Sequence, residues 1–469
     1  MPDAIPDRAT AREAIALLTG AAGFTEHRPP PSPLPPDGPL GWAGYDAARE
    51  RASARTGEEE SVVYGTGVVG DRACVLLSFE FGFLGGSLGR QTGDRLAAAY
   101  ELALTRRIPL VALVATGGSR MQEGMVALTQ LQRVAAASVR LRAAGLPQVA
   151  VVRDPTTGGG WATVGAGADV VLALPGAQVG FAGSRVRPPD ADPYAYSAEG
   201  QFAAGQVDAV VPADELAAAV THWLRALGPH GDLPAAPVPR ALSAAAGGTG
   251  AGAGKRAAAD SGPAARLPET GREAVARARD PRRPRAEAYL ADYFAVRLPL
   301  HGDRSGSTDP GLLCGLGLRA DGRPVAYVAQ CGTPTRPAGY RAAARTIRLA
   351  DRLGVPVLTL VDTPGAANDA EAERAGAGAA IADTFAAIAA ARVPVTTLVI
   401  GEGGSGGALA LATPGNTHVT ADSYFSVIAP EPAAAILKRP PSETGATADQ
   451  LRLRPQDLVD LGFARSIVG

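Results

Sequence analysis

Lysine, cysteine and long apolar runs are scarce in this sequence of 469 residues. Its 45 basic residues are nearly all arginine, because lysine occurs only at Lys255 and Lys438. The 46 acidic residues leave a formal net charge of -1, which does not predict a nucleic-acid surface. No stretch approaches the ~20 apolar residues of a membrane span, and the N-terminus lacks the pattern of a signal peptide. We therefore expect a cytoplasmic protein that binds neither nucleic acid nor a membrane.

The side chains that usually carry catalysis are also few. Cys74, Cys314 and Cys331 are too scattered for a disulfide framework or a four-cysteine zinc site. Cys74 and Cys331 lie in apolar, strand-like runs, which predicts buried structural thiols. The sequence has no HExxH motif, no nucleophile elbow, and no lysine that could complete a Walker motif. We expect no metal, and chemistry that depends on backbone amides more than on side chains.

Length and composition predict two domains and a linker, since 469 residues exceed one ordinary hydrophobic core. Residues 228–268 are rich in Gly, Ala, Pro and Ser and show no apolar period, which predicts a flexible linker. An N-terminal helix and a proline-rich segment occupy 1–41. The two predicted domains then cover 42–227 and 269–469.

The two predicted domains resemble each other at a constant offset of 247 positions. Pro109 and Pro356 open matching apolar runs, and VGFAGSR (179–185) aligns with SVIAPEP (426–432). A constant offset over such a length indicates an internal duplication. In each half, continuous apolar runs alternate with helical patterns, as strands do when helices cover both faces of a sheet. The fold class is therefore predicted to be α/β.

Four glycine-rich turns follow these apolar runs. They are ATGGSRMQEG (115–124), DPTTGGGWAT (154–163), VDTPGAANDAE (361–371) and GEGGSGGALA (401–410). Glycine lets the backbone approach a ligand closely, and free N–H groups at a helix start point toward it. Tight structural turns and a dinucleotide loop are two alternatives, the latter lacking its acidic partner residue. Their matching positions favour paired oxyanion holes, in which backbone amides stabilise an enolate.

The motifs also resemble a known enzyme family. FEFGFLGGSLG (79–89), the turns at 115–124 and 154–163, and VGFAGSR are similar to the β subunit of bacterial acetyl-CoA carboxylase carboxyltransferase. Three further segments are similar to the α subunit: PAGYRAAARTIRLADRLG (337–354), IGEGGSGGALA (400–410) and YFSVIAPEPAAAIL (424–437). The resemblance covers roughly 42–215 and 280–469, in β-then-α order.

This resemblance implies a tandem pair of crotonase-like ββα-superhelix domains, with an active site where one type of half faces the other. It implies that main-chain amides hold the acyl thioester carbonyl and the biotin ureido oxygen. The implied catalytic residues are Gly117, Gly118, Gly158 and Gly159 in the first half, and Gly365, Ala366, Gly406, Gly407 and Ala408 in the second. The implied substrate-binding residues are Arg120, Phe181, Ala182, Gly183 and Arg185.

The implied reaction moves a carboxyl group from carboxybiotin, on a separate biotin carboxyl carrier protein, to the enolate of an acyl thioester. The thioester is expected on CoA or on an acyl carrier protein, and the enzyme as a homodimer or higher homo-oligomer. The chain departs from the family by lacking a zinc ribbon, by a short loop at QCGTPTRPAGY (330–340), by PGAANDAEAERAG (364–376), and by RPPDADPYAYSAEGQ (187–201). Two alternatives therefore stay open: a biotin-independent decarboxylase of a malonyl-type thioester, and a non-catalytic partner subunit.

Overall fold

The computed structural model describes residues 9–20, 23–243 and 266–469. Its contacts divide the chain into two compact units. The first unit is Met1–His230 with Arg304–Ser307, and the second is Gly231–Asp303 with Thr308–Gly469. The predicted domain limits stay predictions.

The first unit is built on one mixed sheet in the order β1-β2-β3-β4-β5-β6-β8, with β7 beside β5. The first two pairings are antiparallel and the remaining ones are parallel. The strands are β1 Phe24–His27, β2 Val62–Val69, β3 Arg72–Phe79, β4 Leu110–Thr116, β5 Gln148–Thr157, β6 Val170–Ala173, β7 Val179–Gly180 and β8 Ala209–Val210.

Helices cover this sheet, and a capping box formed by Thr10 and Glu13 begins the first of them. Every residue of β4 is buried, as its continuous apolar sequence predicted. The helices are α1 Ala11–Thr19, α2 Tyr45–Thr56, α3 Arg90–Arg106, α4 Gly124–Ala143, α5 Gly158–Gly160, α6 Ala198–Ala203 and α7 Leu216–Leu227. Together they confirm the predicted α/β class.

The second unit repeats this plan with the sheet order β16-β14-β13-β12-β11-β10-β9, and with β15 beside β13. The strands are β9 Val296–Pro299, β10 Leu312–Leu318, β11 Pro324–Gln330, β12 Val357–Thr363, β13 Val395–Gly404, β14 Thr417–Thr420, β15 Tyr424–Ser426 and β16 Ser466–Val468. The helices are α8 Gly271–Arg279, α9 Ala286–Tyr293, α10 Pro337–Leu353, α11 Ala370–Arg374, α12 Ala377–Ala390, α13 Ser405–Leu409, α14 Pro430–Ile436, α15 Thr444–Gln450 and α16 Pro455–Asp460.

The predicted duplication is confirmed element by element. The bounds of α3, β4, β5 and β6 reappear 247 positions later as those of α10, β12, β13 and β14. The same register shift separates the central strands, between Val114 and Thr116 in one unit and between Val361 and Thr363 in the other. The offset read from the sequence therefore describes a repeated backbone.

The structure describes only part of the segment that was predicted as a linker. Residues 244–265 lie outside the described residues. Ala236 is buried in the core of the second unit, where its carbonyl accepts a hydrogen bond from the Thr396 hydroxyl at 2.8 Å. Tyr293 Oη donates to the Pro237 carbonyl at 2.9 Å. The beginning of the segment is therefore packed, because its few apolar residues find a ready surface even without a regular period.

Candidate functional site

Hydrogen bonds within the turn at 115–124, and between this turn and the segment 79–89, fix its backbone. The amide of Gly118 donates to Thr116 Oγ1 at 3.0 Å, and the amide of Gly117 donates to the Gly85 carbonyl at 2.8 Å. The Gly118 carbonyl accepts from the Leu88 amide at 2.8 Å. Gly118 has a φ of 104°, which favours glycine. The preceding FEFGFLGGSLG segment thus holds the turn in place through hydrogen bonds to its backbone.

The turn at 154–163 lies against this first turn, and the two form what we call the first turn pair. A Cβ atom added to Gly158 would lie 2.9 Å from the Cα atom of Gly118. The Gly158 amide donates to the Phe181 carbonyl at 3.0 Å, so VGFAGSR supports this turn. The two backbones can approach this closely only because both positions lack side chains.

The turns at 361–371 and 401–410 form the second turn pair. The Gly365 amide donates to Thr363 Oγ1 at 3.1 Å, and the Gly365 carbonyl accepts from the Thr335 amide at 3.1 Å. A Cβ atom on Gly407 would lie 2.3 Å from the Ala366 nitrogen. Each of these two hydrogen bonds reproduces, 247 positions later, a bond of the first turn pair.

Not every predicted amide is free to meet a ligand. The N–H groups of Gly118 and Gly365 are used within their turns, and those of Gly117 and Gly158 by the neighbouring segments, so these residues fix the shape of the turns. In the described chain, no acceptor meets the N–H groups of Ser119 and Ala366, which are 247 positions apart. Gly159 and Gly406 lie at the starts of α5 and α13, where amides have no intrahelical acceptor. Gly407 and Ala408 follow in α13 and are buried.

Ser119 was missed by the sequence analysis, although its alignment with Ala366 was available there. It directly follows Gly118, whose φ is 104°. One amide without an acceptor in the described chain thus occurs in each of the four turns: at Ser119 and Gly159 in the first turn pair, and at Ala366 and Gly406 in the second.

Arg120 corrects a prediction, because it is not placed to bind substrate. Its side chain is fully buried and forms a hydrogen-bonded ion pair with Glu60 at 2.5 Å. Tyr45 Oη lies 3.1 Å from Arg120 Nη1, and the Glu123 carboxylate lies 3.5 Å away. Burial disfavours the charge of Arg120, but the Glu60 carboxylate outweighs it and raises the pKa of Arg120. The long polar side chain thus anchors the turn from beneath.

Glu123 also has a structural role. Its carboxylate accepts hydrogen bonds from Tyr45 Oη at 2.5 Å and from the Arg90 amide at 2.6 Å. Arg90 is the first residue of α3, so Glu123 caps a neighbouring helix as well as preceding its own.

The other predicted substrate contacts lie in the segment after β7. Phe181 is 72% exposed, Arg185 is exposed, and Ala182 and Gly183 are half-buried. Arg185 lines a cavity of about 1330 Å³ within the first unit, together with Gly85 and Gln122. Because Gly85 also accepts the hydrogen bond of the Gly117 amide, this cavity extends up to the first turn pair.

In the second unit, polar side chains hold the second turn pair. Asp362 is buried and pairs with Arg283 at 2.5 Å and Arg285 at 3.3 Å, and its Oδ1 accepts the Glu402 amide at 3.1 Å. Asp362 and Glu402 belong to different turns of the pair. This carboxylate therefore links the two turns.

The carbonyl of Gly407 is held separately. It accepts hydrogen bonds from Tyr340 Oη at 3.0 Å and from Gln330 Nε2 at 3.4 Å. Both donors are buried, so the peptide planes near the Ala366 amide have little freedom to turn.

Side chains with redox or metal-binding capacity play little part here. Burial raises the pKa of the Cys74 thiol to about 12 and that of Cys331 to about 11, so both stay protonated near neutral pH. Cys331 follows β11 and is only half-buried, unlike Cys74. Within the described ranges, no three His, Cys, Asp or Glu residues are grouped to hold a metal ion, and no helix is long and apolar enough to cross a bilayer.

Comparison with known proteins gives matches over both units. Residues 41–210 match the family described as "Carboxyl transferase domain", and residues 265–469 match "Acetyl co-enzyme A carboxylase carboxyltransferase-like". The acetyl-coenzyme A carboxylase carboxyl transferase subunits beta/alpha of Saccharopolyspora erythraea are 38% identical over 95% of this chain and 75% of that protein. Those of Salinispora arenicola are 39% identical over 98% of this chain and 82% of that protein.

A solved structure is also similar. Transcarboxylase 12S, a hexamer assembly with methylmalonyl-coenzyme A and methylmalonic acid bound, matches with a TM-score of 0.76. The alignment covers 98% of this chain and 87% of that chain at 20% sequence identity. At this identity the likeness establishes the fold, and it confirms the predicted pair of crotonase-like domains.

Proposed function

The chain belongs to the family of acetyl-coenzyme A carboxylase carboxyl transferase subunits beta/alpha, and from this premise we propose that its turn amides stabilise the enolate of an acyl thioester during carboxyl transfer. The coarser assignment, a carboxyltransferase of the biotin-dependent acyl-CoA carboxylase type, follows from the family. The observation that carries the finer proposal is the repeated pair of uncommitted amides, Ser119 with Gly159 and Ala366 with Gly406.

Two N–H groups that converge on one oxygen suit a carbonyl that gains negative charge. When the α-carbon of the thioester loses its proton, the electron pair moves onto the carbonyl oxygen. Amide donors fixed by the rest of the turn stabilise this oxygen without reorganising, by several kcal/mol in typical cases. The α-carbon of the enolate would then form the new bond to the carboxyl carbon, while the bond from that carbon to the ureido nitrogen of carboxybiotin breaks and the nitrogen takes the α-proton. Thr116 and Thr363 fix the geometry, since each accepts the amide preceding an uncommitted one.

Biotin on a carrier protein fits the same donor set. Its ureido oxygen is a neutral carbonyl acceptor, and each turn pair offers backbone N–H groups with no competing charge in the hole. A Cβ atom built on Gly406 would meet nothing within 4 Å, so the space next to this glycine is open. Bound there or at the first pair, carboxybiotin would supply the carboxyl group. We leave the assignment of thioester and biotin to the two pairs to experiment.

The proposed partners are an acyl thioester on CoA or on an acyl carrier protein, a biotin carboxyl carrier protein, and a second copy of this chain. Self-association follows from the family resemblance, and light scattering on the purified protein tests it. A monomer at working concentrations would contradict this part of the proposal.

The activity test separates carboxyl transfer from its alternatives. The purified protein is mixed with malonyl-CoA and either free biotin or a biotinylated carrier domain, and carboxybiotin and CO2 are both measured. We expect carboxybiotin. Release of CO2 that is independent of biotin would instead identify a decarboxylase, and no turnover of any thioester would identify a non-catalytic subunit.

The site test adds a methyl group at a glycine of the second turn pair. In Gly407→Ala the added carbon would lie 2.3 Å from the Ala366 nitrogen and 2.6 Å from Tyr340 Oη, so the hole must distort. We expect kcat to fall on the order of 10²-fold, as when one oxyanion donor is lost. Gly378→Ala is the control, because a Cβ atom there meets nothing within 4 Å. Equal activity of the two variants would refute the role of the second turn pair.

A further inference from the structure

Arg153 is a buried arginine that the reaction above does not use. It lies on β5, immediately before the turn at 154–163, and is 6% exposed. Its Nη1 donates to the Ala9 carbonyl at 2.9 Å, and its Nη2 donates to the Phe79 carbonyl. Carbonyl groups satisfy part of its hydrogen-bonding capacity but carry no net charge to oppose that of the guanidinium.

The guanidinium is left incompletely partnered. Its Nε is buried and has no hydrogen-bond partner among the described residues, and no described carboxylate forms an ion pair with it. Burial lowers the pKa of Arg153 to about 10, since the charged form has lost its water. An unpaired buried charge is costly in a folded protein unless a ligand completes it.

The two nearest acids do not complete it. Glu80 Oε1 accepts the Gly82 amide at 2.8 Å, and Glu80 Oε2 accepts the Ala11 amide at 2.8 Å. Asp154 Oδ1 accepts the Gln178 amide at 2.9 Å. Glu80 acts on Arg153 only through its field, so both acids mainly satisfy backbone donors.

Arg153 lines the cavity of about 1330 Å³ that extends to the first turn pair. Arg55 and Arg185 line the same cavity, which therefore holds three arginines against the two acids. Such a space is large enough for a substantial ligand, and its excess positive charge selects an anionic one.

We propose that Arg153 binds an anionic group of the acyl thioester substrate, either a carboxylate on the acyl chain or a phosphate on the thiol carrier. The identity of the ligand as a thioester rests on the proposed function, whereas the binding itself does not. A planar guanidinium that lines the cavity suits the oxygens of both groups. Arg153 would thus be a specificity-determining residue in the cavity beside the holes.

The test measures binding by calorimetry, so it does not depend on turnover. The three probes are acetyl-CoA, which carries phosphates, glutaryl-pantetheine, which carries a carboxylate, and acetyl-pantetheine, which carries neither. We expect Arg153→Gln to weaken one or both anionic probes by roughly ten- to hundredfold and to leave acetyl-pantetheine unchanged. Loss confined to acetyl-CoA would identify the phosphate as the anion, and loss confined to glutaryl-pantetheine would identify the carboxylate.

Arg95→Gln is the matched control in the same unit. Arg95 is also buried, at 7% exposed, and donates to the Val62 carbonyl at 3.0 Å, but it does not line the cavity. We expect this variant to bind all three probes as the unmodified protein does. If Arg153→Gln binds every probe unchanged, or loses all three equally, the proposal is overturned.

A second variant covers the case in which Arg153→Gln does not fold. Arg153→Lys keeps the charge and can still donate to a carbonyl, and we expect it to retain a measurable preference for the anionic probes. The unmodified protein alone also decides the matter. If it binds the anionic and neutral probes with the same Kd, there is no anion site in this cavity.

Discussion

The two turn pairs have nearly the same backbone but are supported by different side chains. In the first pair, Arg120 of one turn forms a buried ion pair with Glu60, which lies outside both turns. In the second pair, Asp362 links both turns directly, and Tyr340 and Gln330 hold the Gly407 carbonyl. What the two share is the backbone donors and the threonines that aim them. The chemistry that we propose for both turn pairs therefore depends on amide positions, and the side chains determine how firmly each pair is held.

The largest expected effect comes from breaking the two ion pairs separately. Arg120→Met leaves Glu60 buried with the Ser61 amide as its remaining close donor, and should destabilise the first unit by about 3–5 kcal/mol. Arg283→Met leaves Asp362 with Arg285 and the Glu402 amide, so its cost should be smaller. Urea unfolding, with hydrogen exchange to localise the loss, measures both.

A double variant controls this comparison. Glu60→Gln combined with Arg120→Met removes the stranded charge and should recover part of the stability. If the two single arginine variants are equally unstable, the units do not differ in the way that their networks suggest.

The second effect concerns acid. Burial works to raise the pKa of Glu60, but the charge and hydrogen bonds of Arg120 outweigh it, and the net pKa lies below the usual 4.5. The stabilisation is therefore fully present above about pH 4.5 and is lost as the pH falls through the lowered value. The first unit should therefore unfold at lower urea concentrations below that pH. In Glu60→Gln, the stability should depend less on pH. An unchanged slope in that variant would assign the acid sensitivity to other carboxylates.

Much of this architecture could be predicted from the sequence, and the reasons are physical. Continuous apolar runs such as β4 and β12 indicated buried strands, and the offset of 247 indicated that one half of the chain repeats the other. The glycine-rich turns indicated where two backbones approach closely, since such an approach requires missing side chains.

Other features depend on contacts between residues far apart in the sequence. The family resemblance implied that Arg120 binds substrate, yet its ion-pair partner Glu60 is sixty positions away. Arg153 was not singled out, since an arginine at the end of an apolar run carries no local sign of burial. Whether an amide is already used by another segment, as that of Gly117 is by the Gly85 carbonyl, also depends on residues far away in the sequence.

The third effect concerns the two threonines. Thr363 Oγ1 accepts the Gly365 amide and can donate to the Thr333 carbonyl at 2.8 Å or the Gly365 carbonyl at 2.7 Å. Thr116 Oγ1 accepts the Gly118 amide. Replacing either threonine by valine removes a hydrogen bond, worth about 1 kcal/mol, that aligns the turn amides. We therefore expect kcat to fall roughly five- to tenfold. Thr363→Val should be the more severe, and steady-state kinetics of both decides this. A change in KM alone would argue against a role in aiming the amides.

The smallest expected effect concerns the space above one glycine in each pair. In the first unit, a Cβ atom on Gly159 would lie 2.5 Å from Leu131, whereas its counterpart Gly406 meets nothing within 4 Å. The reason is that the residue 247 positions after Leu131 is Gly378.

Gly378→Leu should therefore cover Gly406 and narrow the access of a ligand to the second turn pair without removing any hydrogen-bond donor. We expect KM for the ligand of the second pair to rise about threefold with kcat unchanged, a difference below 1.4 kcal/mol. Gly378→Ala adds only one carbon in open space and should leave KM unchanged. The substrate whose KM responds, thioester or biotin, then identifies the ligand of the second turn pair. If neither responds, the difference in space between the two pairs has no bearing on binding.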